Sequence, residues 1–315
     1  CQFISNLAEK TGGAIQLQDA QPCIIRGCFF EANSGAAGGA IHSTFSSTEV
    51  LTCTFLNNRA TNFYAGACYA WYGVITVANS VFIGNDTAGD GGAIGHGRCE
   101  ASIVGCTLTG NRAAANGGAV FNHFPDTYVA LTNTILWQNQ AGALADAIYS
   151  ANSNGTLTLD TCLIDGGLTE VLVTNGATLV TRGILLADNP LFVNLAASNV
   201  HLRAASPCID RGTNLSCFLT MTDMDEQPRV FNGRVDIGAD EAAIVAATVS
   251  RSPDLATTWD VVVDARCQLK FSTNLLATNW VPLGGVVTAA VPQIVTTDTS
   301  TAARTRFYRL FWLQP

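Results

Sequence analysis

Three of the four histidines, His42, His96 and His123, lie within four residues after an Ala of a recurring Gly-rich motif. Around them stand Tyr69, Trp71, Arg98, Glu100, Asn122 and Asp126. His96 and His123 fall in neighbouring repeats, and with Asp126 and Arg98 they have the residue types of an acid–base pair or a ligand cluster. His42 stands two repeats from His96, too far to share one zinc. The competing reading of the same residues is polar side chains leaving a strand toward solvent at a corner. The run FYAGACYAWYG (63–73) concentrates ring surface in Phe63, Tyr64, Tyr69, Trp71 and Tyr72, beside His42. Such rings stack on sugars or grip a protein partner, although some of them are expected to point into the core.

Other charged sets are weaker. Asp86 and Asp90 share a loop, and Arg112, Arg59, Glu9 and Lys10 occupy the equivalent loops of other repeats. Lyase chemistry needs acidic metal ligands with an Arg or Lys base, and glycoside hydrolysis needs two carboxylates facing across the substrate. Here acid and base are spread over different repeats, which reads as surface charge. Further along the chain, Asp223 and Asp225 alternate and are followed by Asp236, Asp240 and Glu241. Alternate carboxylates suit calcium, yet the Gly and distal Glu of an EF-hand loop are missing. The structural alternative pairs Asp236 or Asp210 with Arg211, Arg229 or Arg234 to close the end of the fold. Cys208 and Cys217 are a candidate disulfide in an oxidising compartment.

The element that must position these residues is a repeat. Its unit reads Cys-x-Phe-x-x-Asn, a few small or polar residues, then Gly-Gly-Ala-Ile. The Asn column is Asn6, Asn33, Asn58, Asn85, Asn111 and Asn139, at steps of 27, 25, 27, 26 and 28. Units this short cannot bury their own apolar face, whereas a stack of them can. Runs such as CIIRGCFF and ASIVGCTL are strand-like, and no segment keeps a 3.6-residue apolar period. The pattern predicts a parallel β-helix of about eight coils, a rod of about 40 Å at the inter-strand spacing. The Gly pair is expected at one tight corner, and the Asn column in left-handed conformation at the other, its side chains hydrogen-bonding along the stack. Cys1, Cys28, Cys53 and Cys106 share a column with Ser80, Thr134 and Thr161, read as a buried thiol ladder because parallel Cβ vectors disfavour disulfides.

Composition agrees with an all-β chain: 315 residues, 48% hydrophobic, 13% charged and 29 Gly. The net charge of −8 disfavours a nucleic-acid partner. No apolar run is long enough for a transmembrane helix. The chain begins at Cys1, within a repeat, so an upstream segment and a signal peptide with it are expected.

The FxxN and GGAI pairs resemble the repeats of chlamydial polymorphic outer-membrane proteins, over residues 1 to about 150. That resemblance implies a right-handed parallel β-helix and a surface adhesin. NPLFVN (189–194), HLRAASPCIDRGTN (201–214) and DMDEQPRVFNGRVDIGADE (223–241) resemble the tail of the choice-of-anchor Q domain. This second resemblance implies a secreted or cell-surface bacterial protein in which no catalytic residues are generally assigned. STNLLATNW (272–280) and FYRL (307–310) are similar to modules that end many secreted bacterial proteins. The expected organisation is a β-helix with its tail at 1–241 (tail 190–241), a linker at 242–250 and a small antiparallel β-sandwich at 251–315.

Three functions follow as expectations. The first is a non-catalytic adhesin or scaffold that binds polysaccharide or a cell-surface protein through stacked loops. The second is a polysaccharide lyase or glycoside hydrolase using His96, His123, Asp126 and Arg98 on the same face. The third is a filament that grows by end-to-end association of exposed coil edges.

Overall fold

The computed structural model describes residues 1–151, 153–230, 233–242, 247–251, 255–273, 280–291, 293–299 and 306–313. Its first unit, Cys1–Pro190 with Asp210–Glu241, is a parallel β-solenoid of about seven turns. The turns stack in register: Ile15 on Ile41, Ile41 on Cys68, Cys68 on Ile94, Ile94 on Val120, Val120 on Ile148 and Ile148 on Val171. The expected eighth coil contributes only the strand Thr178–Leu186, laid parallel on Thr156–Ile164.

The repeat motif acts through columns. Phe3, Phe30, Phe55 and Phe82 stack ring on ring at centroid distances of 4.8, 4.7 and 4.5 Å, close to the spacing of neighbouring strands. Leu108 and Leu136 continue this column at the same register. Asn33, Asn58, Asn85 and Asn111 are fully buried, and Asn139 nearly so. Each Asn in the ladder from Asn6 to Asn111 donates its backbone N–H and its Nδ2 to Oδ1 of the next: Asn58 reaches Asn85 at 3.0 Å by both, and Asn85 reaches Asn111 at 3.0 and 2.9 Å. The second Nδ2 hydrogen goes to a backbone carbonyl of the preceding coil, Phe30 for Asn58 and Phe55 for Asn85. Buried amides are thereby satisfied on both sides.

The left-handed corner does not lie at these Asn residues. It lies one residue earlier, at Ser5, Ala32, Asn57, Gly84, Gly110 and Gln138. The turn at the preceding residue aims the Asn side chain inward along the stack, where a left-handed Asn would have pointed out. Three further left-handed columns bend each coil: Gly27, Thr52, Asn79, Gly105, Asn133, Thr161 and Gly183; Asp19, Phe45, Tyr72, Arg98, Asp126 and Asn154; and Gly12, Gly38, Ala65, Gly91, Gly117 and Ala145. In the GG pair the two glycines do different work: Gly38 takes φ of 61°, whereas a Cβ on Gly39 would run into the Gly66 carbonyl oxygen.

The thiol column holds Cys28, Cys53, Ser80, Cys106 and Thr134. Its next member is Cys162 rather than Thr161: Leu163 pairs with Ile135, which sets Cys162 beside Thr134, while Thr161 sits at the corner. Cys53, Cys106 and Cys162 donate to backbone carbonyls of Leu51, Val104 and Leu131 at 3.3 to 3.5 Å. Burial pushes their thiols up to about 11, 12 and 12.

Segment 210–241 runs along the flank of the solenoid, at the corner column of Asn79, Gly105 and Asn133, and does not close its end. Asn79 Nδ2 donates to the Thr222 carbonyl at 2.9 Å, Thr161 and Thr213 share a hydroxyl hydrogen bond of 2.8 Å, and Ala239 N–H donates to Thr107 Oγ1 at 3.1 Å. Fully buried beneath it, Arg229 donates to the carbonyls of Asp240 and Asp236 at 3.2 and 3.1 Å and lies 5.1 Å over the Phe218 ring. Those two carbonyls, rather than the carboxylates of Asp210 or Asp236, receive its guanidinium.

The second unit comprises Leu191–Ile209 and Ala242–Pro315. Segment 191–209 thus groups with the C-terminal module. Phe192–Asn194 and Asn199–Leu202 pair antiparallel. One small antiparallel sheet joins Ala247–Arg251, Leu255–Asp260 and Gln293–Asp298; another joins Arg266–Ser272, Val281–Pro282, Val287–Thr288 and Phe307–Leu313. The FYRL motif lies in the last strand, where Phe271 pairs with Tyr308 and Leu269 with Leu310. Arg306 and the Tyr308 hydroxyl both donate to Asp298 Oδ2 at 2.7 Å. Most of STNLLATNW, residues 274–279, lies outside the described residues.

Candidate functional site

The strand that follows GGAI alternates strictly. In its outward column His42, Tyr69, Gly95, Phe121 and Tyr149 are in register, and in its inward column Ser43, Ala70, His96, Asn122 and Ser150. Alternation decides the fate of the histidine pair. His96 aligns with Asn122, so it points into the core, and His123, one residue beyond, belongs to the opposite side and is exposed. His96 is fully buried, neither ring nitrogen has a partner, and burial lowers its pKa to about 3. The expected pairing of His96 with His123 is therefore not formed. Arg98 and Asp126 are exposed on the left-handed corner column, where Arg98 lies 5.7 Å over the ring of Tyr72.

The aromatic residues do come together on the outside. Tyr64 lies between the rings of Tyr69 and Phe121, at 5.2 and 5.4 Å, over the place where Gly95 has no side chain. Phe124 meets Trp71 edge-on at 4.3 Å and Tyr64 edge-on at 6.2 Å. Gly97 makes this possible, since a Cβ there would collide with the Phe124 ring. Tyr72 continues the cluster edge-on to Trp71 at 5.2 Å and stacks on Phe45 at 4.8 Å, while His123 stacks on Phe121 at 5.7 Å. Tyr69 and Phe121 are buried by this packing, Tyr64, Trp71 and Tyr72 are half-buried, and Phe63 remains 56% exposed. His42 is buried against Tyr69, with Nδ1 3.3 Å from Thr44 Oγ1, and burial lowers its pKa to about 4. Burial also raises the hydroxyl pKa of Tyr69, and that of Tyr64 is raised by burial and then by the charge of Asp90.

Between the rings lies a surface pocket of about 230 Å³ lined by Ala37, Phe63, Tyr64, Tyr69, Trp71 and Phe124. Apart from the two tyrosine hydroxyls, these side chains are hydrocarbon and indole. Phe45, Phe121 and Phe124 were not singled out by the sequence reading. For two of them the signal was present, because Phe121 falls two repeats after Tyr69 and Phe45 one repeat before Tyr72.

Residues 105–123 match the Chlamydia polymorphic membrane protein repeat. The stretch runs from the corner before Cys106, through Asn111 and the Gly117–Gly118 pair, to His123, and so covers most of one coil. No curated protein matches the chain.

The remaining candidates resolve individually. Asp223 is fully buried; its Oδ1 accepts from Asp225 N and Gln227 N at 2.9 and 2.8 Å, and its Oδ2 from Glu241 N at 3.1 Å. Three backbone donors use this carboxylate, which shapes a turn. Asp225 is exposed. Of the candidate disulfide pair, Cys208 is buried and Cys217 exposed. Cys1 is exposed and Cys28 half-buried at the first coils of the thiol column. No helix among the described residues is long and apolar enough to cross a membrane.

Proposed function

We propose that this chain is a surface-exposed bacterial β-solenoid that acts as a non-catalytic adhesin or scaffold, with the aromatic cluster on coils two to five as its contact surface. The observation that carries the reading is the pocket formed by Phe63, Tyr64, Trp71 and Phe124. A concave site walled by rings rewards an apolar anchor and penalises a polar one left without partners. Between a sugar and a protein side chain the wall chemistry favours the side chain, because a sugar's hydroxyls need several converging polar groups. The match of residues 105–123 to the polymorphic membrane protein repeat supports the surface location. The lyase or glycosidase alternative loses His96 and with it the proposed pair, since His96 faces the core while His123, Arg98 and Asp126 face solvent.

The test is a peptide array with a central Leu, Phe or Trp, each matched by a central Ala, probed with the protein and with Trp71→Ala. Retention of the apolar peptides alone, lost in the variant, supports the reading. Equal retention of the Ala peptides contradicts it.

A further inference from the structure

A second concave surface lies on the neighbouring outer face, past the left-handed corner at Tyr72, Arg98 and Asp126. There the outward columns are Val74, Glu100, Tyr128 and Thr156, and beside them Thr76, Ser102, Ala130 and Thr158, all in register. The intervening residues Ile75, Ala101, Val129 and Leu157 are buried, so the outer face is fixed by the core behind it. Tyr128 stands half exposed over the small Ser102 and Ala130, leaving a groove of about 500 Å³, within the ordinary size range of ligand sites.

We infer that this groove binds an uncharged polysaccharide laid along the solenoid axis. Its wall joins one exposed ring, Tyr128, to the polar groups that the aromatic pocket lacks: four hydroxyl groups, on Thr76, Ser102, Thr156 and Thr158, offer both donors and acceptors. Glu100 offers a carboxylate that accepts from vicinal sugar hydroxyls. Successive rungs repeat about every 4.8 Å, close to the length of one pyranose in an extended chain, so each sugar meets an equivalent row of side chains. Charge selects the class: Glu100 is the one ionised group among the lining residues, which repels uronates and sulfated chains and leaves neutral ones. The site is separate from the aromatic pocket, and its fate does not depend on that pocket having a protein partner.

The experiment is calorimetric titration of the full chain with hexasaccharides of the β-1,4-glucan, xylan, mannan and chitin types, and with hexagalacturonate as the charged comparison. The expected result is binding of at least one neutral hexasaccharide and none of hexagalacturonate. Tyr128→Ala should weaken that binding tenfold or more, and Glu100→Gln should weaken it while leaving the melting temperature unchanged. Trp71→Ala should leave it intact; loss of binding in Trp71→Ala with retention in Tyr128→Ala would move the sugar to the aromatic pocket and overturn the inference. Binding of hexagalacturonate alone, or of none of the neutral chains at millimolar concentration, would also overturn it.

Discussion

Asn133 holds Thr213 by both of its backbone polar groups: Thr213 N–H donates to Asn133 Oδ1 at 2.8 Å, and Asn133 Nδ2 donates to the Thr213 carbonyl at 2.9 Å. The two residues are 80 apart in sequence. A corner side chain of the solenoid thereby treats a backbone segment of the tail as an extra strand.

Asn133→Ala should strip the tail from that corner. Two part-buried hydrogen bonds vanish and the backbone N–H and carbonyl of Thr213 lose the Asn133 side chain, which costs about 1 to 2 kcal/mol. Urea unfolding measures the loss, and proteolytic nicking within 210–241 should become faster. Unchanged stability together with unchanged nicking would show that the clamp carries no weight.

The Asn ladder should be strongest in its middle. Asn85 takes part in ladder bonds to both Asn58 and Asn111 and also donates to Phe55 O. Asn85→Ala takes the acceptor from the backbone N–H and Nδ2 of Asn58 in a dry core, while Asn111 Oδ1 keeps only the backbone N–H of residue 85, a cost of about 3 kcal/mol. Asn6 is exposed at the first coil, so Asn6→Ala should cost less than about 1 kcal/mol. Equal losses at the two positions, read by denaturant midpoint, would contradict the ladder's cooperative character.

His96 makes stability depend on pH. Its folded pKa of about 3 lies below the ordinary value of 6.5, so between those values the unfolded chain binds a proton that the folded chain refuses. Its contribution is therefore lost as pH falls from 6.5 and levels off near 3, and it amounts to a few kcal/mol. His42, lowered to about 4, adds in the same direction. His96→Leu should be neutral or stabilising at pH 7, because it removes a buried ring whose nitrogens have no partners. The same variant should flatten the difference in stability between pH 7 and pH 4, and an unaltered slope would show that His96 is hydrated or paired when folded.

The sequence made the columns legible because a solenoid converts a fixed period into vertical stacking. Cys-x-Phe-x-x-Asn therefore announced the Phe stack and the Asn ladder directly. Facing was harder to read. The left-handed residues Phe45, Tyr72 and Arg98 reset the pleat in mid-strand, so the facing of the residues beyond them depends on a backbone turn that no single residue type marks. Tyr72 and Arg98 are poor predictors of positive φ, and only the stacking of several such corners sustains them. The tail escaped for another reason: its contacts with Asn79 and Asn133 span 143 and 80 residues, and local patterning carries no trace of them. The sequence showed Phe63 to Tyr72 as one run, but the pocket needs Phe124 from a later coil, where Gly97 makes room for it.

The contact surface is tested most directly by a double-variant cycle at the aromatic pocket. A peptide with a central Leu and its Ala counterpart are titrated against the wild-type protein and against Trp71→Ala, with fluorescence anisotropy as the readout. If the side chain seats between Phe63, Trp71 and Phe124, the two changes are coupled by about 1 kcal/mol or more. Additive effects, with no coupling between the peptide's Leu and Trp71, would contradict the account.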